Sequence, residues 1–78
     1  ETTIRFSVTQ TLSFVSLDIY NIKGQKVKSL VHEVLPAGEH SVIWVGRDSN
    51  GNPVSSGIYF YKLKTENFQK VKKMILLK

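Results

Sequence analysis

Apolar and polar residues alternate along most of the chain. Ile4, Phe6 and Val8 alternate with Arg5 and Ser7, and Val15, Leu17 and Ile19 alternate with Ser16 and Asp18. A period of two places each set on one face of a strand, and no segment carries a sustained helical stripe. "NIKGQ" (Asn21 to Gln25) then predicts a tight turn, with Gly24 free to take positive φ. Lys26 to His32 is the expected returning strand, with Val27 and Val31 on one face. Leu30 breaks its alternation, which predicts a bulge or twist.

A second turn is expected at "LPAGEH", where Pro36 fixes φ and Gly38 supplies a permissive backbone. Beyond it His40, Val42 and Trp44 share one strand face, with Ser41 and Ile43 on the other. "GRDSNGNPVSSG" reads as a long crossover loop with a very short strand near Val54. Ile58 to Thr65 and Phe68 to Leu77 are the last two expected strands, joined through "TEN" (Thr65 to Asn67). Tyr59, Tyr61 and Leu63 share one face while Ile58 and Phe60 share the other, so a strand buried on both sides is expected. Short strands at regular spacing predict an all-β fold, an immunoglobulin-like antiparallel β-sandwich of about seven strands.

Length makes this core small. The 78 residues allow one domain, 1–78, with no internal repeat or low-complexity linker. The abrupt strand-like start at Glu1 leads us to expect the C-terminal module of a larger secreted protein. There is no cysteine, hence no disulfide framework or thiolate metal site. No signal peptide is visible, and the apolar run Met74 to Leu77 is far too short to span a bilayer, so no membrane insertion is expected.

The net charge is +5 and unevenly placed: from Lys62 to Lys78 there are six lysines against one acid, Glu66. Such a stretch suits an anionic partner, or guards an exposed strand edge against aggregation.

Three groups of residues invite a chemical role. Asp48, Asn50 and Asn52 alternate as in a calcium loop, but the sixth and twelfth positions are Pro53 and Tyr59 rather than glycine and glutamate. Asx residues beside glycine serve any turn, so no metal is expected. His32 and His40 lack metal spacing, and no serine sits in a nucleophile elbow. His40 shares a face with Trp44, which favours a partly buried structural histidine. No catalytic residue and no cofactor is expected. Trp44, Tyr59, Phe60 and Tyr61 suit a stacking platform for sugar or single-stranded nucleic acid, but strand alternation directs them to the core. We therefore expect Trp44, Ile19, Leu17, Val42, Tyr59, Tyr61 and Leu63 inside, and no nucleic-acid partner.

The succession "TTIRFSV", "VSLDIYNIKGQKVKSLV", "LPAGEHSVIWVGRDSNGNPVSSGIYFYKL" and "KKMILLK" resembles the C-terminal sorting domain of the type IX (Por) secretion system. It equally resembles the immunoglobulin-like domain of flagellar hook-capping proteins. The resemblance runs from Thr2 to Lys78. Its specific elements are "IYNIKGQ", "AGEH" with Trp44 four residues on, "NGNPVSSGIYFYKL" and the terminal "KKMILLK". Two departures stand out. Trp44-Val45-Gly46 replaces the family's Trp-Asp-Gly, and the Asn-Pro-rich segment that usually precedes "TTI" is not in this sequence.

The sorting resemblance implies a non-catalytic tag that directs N-terminal cargo domains through the periplasm to the surface or exterior of Bacteroidetes-like bacteria. Its implied partners are the secretion machinery and a sortase-like peptidase of the outer membrane. The residues it ties to recognition are Lys72, Lys73, Met74, Ile75, Leu76, Leu77 and Lys78. The rival expectations are an immunoglobulin-like structural or assembly domain of hook-capping type, and a carbohydrate-binding or adhesion module of a secreted glycanase.

Overall fold

The computed structural model describes residues 1–66 and 68–77, with Gln10 described through its backbone alone. Asn67, expected in the last hairpin connection, and Lys78, expected in the recognition tail, lie outside the described residues. The elements are β1 (Thr2–Asn21), β2 (Lys26–Trp44), β3 (Gly57–Lys64) and β4 (Gln69–Leu76). They form one antiparallel sheet in the order β2-β1-β3-β4.

Seven short strands are thus replaced by four among the described residues, two of them very long. Ile4–Val8 and Val15–Ile19 are the two halves of β1, and the segments on either side of "LPAGEH" are the two halves of β2. A straight strand of 20 residues would run roughly 63 Å, yet the longest extent of the molecule is 37 Å. The hairpin must bend. Pairing runs from Thr2↔Trp44 to Val8↔Gly38 and resumes at Leu12↔Pro36, so Thr9, Gln10 and Thr11 face Ala37 alone. Extra residues on one strand bend it and sharpen its twist, and strands turn the corner between layers in this way. "LPAGEH" has turn chemistry because the corner needs it. Gly38 sits at φ 133°, and Pro36 is tolerated without its N–H because β2 lies at the sheet edge.

The bend also exchanges the buried face. Before it the even positions Ile4, Phe6 and Val8 are buried; after it the odd positions Ser13, Val15, Leu17 and Ile19 are. The sheet therefore curls over on itself around one core. Ile4, Phe6 and Val8 pack in the same cluster as Val15, Leu17, Ile19, Val31, Trp44, Tyr59, Leu63 and Leu76. Val42 and Tyr61 pack half-buried against it, so every residue expected inside contributes to the core. Fully burying one such aliphatic side chain contributes about 1.5–3 kcal/mol, a large share for a domain of this size.

Local features follow the sequence closely. Asn21 Oδ1 accepts the amides of Lys23 and Gln25, each at 3.0 Å, and closes the β1–β2 turn with Gly24 at φ 83°. Leu17 pairs with Val31 and Asp18 with Ser29, so Leu30 is the extra residue of a bulge. Val27 is a second extra residue, between Lys28 and Lys26. The β3–β4 hairpin is closed by the Thr65 amide on the Phe68 carbonyl at 2.8 Å. β3 departs from expectation on one face. It lies between β1 and β4, but Ile58 is exposed and Phe60 only half-buried. A curled sheet covers its concave side with its own other half and leaves the convex side open.

Candidate functional site

The loop between β2 and β3 is built from its own side chains. Asp48 Oδ1 accepts the amides of Asn50 at 2.9 Å and Asn52 at 3.0 Å, as an Asx-turn residue does. Arg47 pairs with Pro53 in an isolated bridge, the short strand expected near Val54, and the Val54 amide donates to the Gly46 carbonyl at 2.9 Å. Ser49 anchors the loop to β2, donating its amide at 3.0 Å and its hydroxyl at 3.2 Å to the carbonyl of the bulged Val27. The chain thereby crosses from Trp44, beside Thr2, to Tyr59, beside Asn21 at the other end of β1. No group of three or more histidine or acidic residues placed to hold a metal occurs among the described residues.

Of the aromatic residues that would form a stacking platform, Trp44 and Tyr59 lie in the core and Tyr61 packs half-buried against it. Phe60, expected in the core, lies half-buried on the convex face. The rings of Trp44 and Tyr59 meet edge to face with centroids 5.0 Å apart. The Trp44 indole N–H donates to the Arg47 carbonyl at 3.0 Å, and the Tyr59 hydroxyl to Ser55 at 2.7 Å. Both polar tips thus fasten the crossover loop to the core. His40 stacks on Phe6 at 5.5 Å with Nε2 2.8 Å from the Pro36 carbonyl, bracing the corner of β2. His32 lies edge-on to Phe14 at 4.9 Å on the convex side.

The recognition residues inferred from the tail divide between core and surface. Leu76 is a core residue and Met74 packs half-buried against the core, while Lys72, Lys73, Ile75 and Leu77 are exposed. Leu77 follows the end of β4 and is 81% exposed. β4 is an edge strand, with β3 on one side and no strand on the other among the described residues.

The convex side carries two features that sequence alone did not assemble. An open cleft of about 410 Å³ lies between Phe14, Ser16, Asp18, His32, Lys64 and Glu66. Asp18 in this cleft is ion-paired with Lys26 at 3.7 Å. Beside it an apolar groove of about 310 Å³ is lined by Tyr20, Ile22, Phe60, Lys62 and Val71. Alternation places these residues on the outer face, but only the register Ser16↔His32, Ser16↔Lys64 and Tyr20↔Phe60 makes them neighbours. The sequence signal for this side is the apolar second face of β3, Ile58 and Phe60, which alternation alone reads as core.

The structure defines an all-β chain, one antiparallel sheet whose long hairpin curls over an aromatic and aliphatic core. Residues 1–68 match the FlgD Ig-like domain, so the chain belongs to that family and is an immunoglobulin-like domain. The matched residues end at Phe68, immediately before β4. No curated protein and no solved structure matches the chain.

Proposed function

We propose that this chain is a non-catalytic immunoglobulin-like module of hook-capping type, a structural and assembly domain attached to a larger protein. Membership of the FlgD Ig-like family carries this reading. The fate of the chemically suggestive side chains supports it: Asp48, Trp44, Tyr59 and His40 are all engaged in holding the loop, the core and the corner. A carbohydrate-binding role fares worse, since the ring faces it needs at Trp44 and Tyr59 are buried.

A second reading, the type IX sorting domain, is favoured by one observation. β4 lies beyond the matched residues and places Lys72, Lys73 and Ile75 on an accessible edge, with exposed Leu77 following it. In that reading the outer-membrane secretion machinery reads the tail, and a sortase-like peptidase processes it. One experiment separates the two. The domain is fused behind a periplasmic reporter in a bacterium with the type IX pathway, and the reporter is located by cell fractionation and surface protease. A structural module leaves the reporter in the periplasm. Delivery of folded fusion to the surface overturns that reading and establishes sorting.

A further inference from the structure

The two edges of the sheet are built differently. β2 carries bulges at Val27 and Leu30, a proline at position 36, a corner at Gly38 and the docked Ser49. Each of these interrupts the straight row of backbone groups that a foreign strand needs. β4 has none of them. It pairs with β3 over eight consecutive positions, Gly57↔Leu76 to Lys64↔Gln69, without a register shift and without proline or glycine.

We infer that the β4 edge is a docking site for an extended segment of another protein, added as a further strand. The side chains of β4 define the chemistry of that segment. Lys70 and Lys72 lie on the face of Met74 and Leu76, while Val71, Lys73 and Ile75 lie on the convex face. An incoming strand therefore needs acidic residues opposite Lys70, Lys72 and Lys73 and apolar residues opposite Val71 and Ile75. Cross-strand pairs of opposite charge and of apolar side chains stabilise such an addition, while like charges oppose it.

The apolar positions of the added strand would extend the surface of Val71, Ile75 and Ile58, all exposed. The lysines also oppose the simplest competitor. Two copies of β4 pairing antiparallel through this edge about the strand centre would set Lys72 against Lys72 or Lys73 against Lys73, so the edge disfavours its own kind and favours an acidic partner. This inference goes beyond the assembly reading and does not depend on it, because it concerns only what the edge can bind.

The test is titration of the isotope-labelled domain with a short synthetic peptide. Glutamates face the three lysines, and valine or isoleucine faces Val71 and Ile75. Binding should slow amide exchange along Gln69–Leu76 and leave Lys26–Trp44 unchanged. The triple variant Lys70→Glu, Lys72→Glu, Lys73→Glu should bind at least about tenfold more weakly. A peptide with lysine in place of glutamate should restore its binding. These side chains are exposed, so the variant's fold is checked by its amide spectrum alone. Absence of peptide binding overturns the inference. So does protection along β2 instead, failure of the charge swap to restore binding, or capture by phosphatidylglycerol vesicles without protection of β4.

Discussion

At the scale of single residues, polar atoms on aromatic side chains hold the crossover loop to the core. Tyr59 is 6% exposed, and its hydroxyl reaches the Ser55 carbonyl two residues before β3 begins. Tyr59→Phe keeps the ring against Trp44 but leaves that carbonyl without its donor. The expected cost is about 1 kcal/mol, since a hydrogen bond of this kind contributes that much net. In a domain of this size that lowers Tm by about 4–8 °C. Thermal melting by circular dichroism checks it, and an unchanged Tm would mean the bond contributes nothing. The aromatic character of this region was plain in the sequence. Its assignment to the core was legible too, because alternation sets Tyr59 and Leu63 on one side and a small cysteine-free domain has few other large residues with which to fill its interior.

At the scale of elements, strand-forming segments were legible but their connection was not. Proline and glycine report what the backbone needs locally, a fixed φ or a positive one, and not whether the chain reverses direction. "LPAGEH" meets that need at a corner within one strand. A second signal was present in the change of the buried face from even positions at Ile4–Val8 to odd positions at Val15–Ile19. Two separate strands and one bent strand both produce it, and only pairing across the sequence distinguishes them.

The same limit hid the convex cleft, whose residues meet through register. The corner itself is testable. A Cβ on Gly38 would meet nothing within 4 Å, so the conformational demand of φ 133° is the sole obstacle to a side chain there. Gly38→Ala should destabilise by about 1–2 kcal/mol, and Gly38→Val by at least as much, through backbone strain alone. Denaturant unfolding should show a lower midpoint at unchanged slope in both. Equal midpoints for Gly38→Ala and the parent would show that the corner tolerates an ordinary residue.

At the scale of the whole molecule, the tail belongs both to the core and to the surface, which decides how any function assigned to it can be tested. Leu76 is 2% exposed and packs in the same cluster as Trp44 and Tyr59, whereas Leu77 is 81% exposed. Removing the tail as a unit therefore removes core, and a loss of export or binding would report unfolding as readily as lost recognition. Two variants separate the contributions. Leu76→Ala leaves a cavity at a buried site and should cost about 2–5 kcal/mol. For 78 residues the total stability is on the order of 4–12 kcal/mol, so this change alone brings the fold near its limit. Leu77→Ser alters an exposed side chain and should change stability by no more than about 0.5 kcal/mol. Melting of the isolated domain measures both, and similar losses in the two would contradict the inward and outward division of the tail. Carried into the reporter fusion, Leu77→Ser then reads recognition without a folding defect. If a parent fusion reaches the surface and the Leu77→Ser fusion remains in the periplasm with an unchanged Tm, the exposed tail is the signal. If both fusions behave alike, export does not depend on the Leu77 side chain.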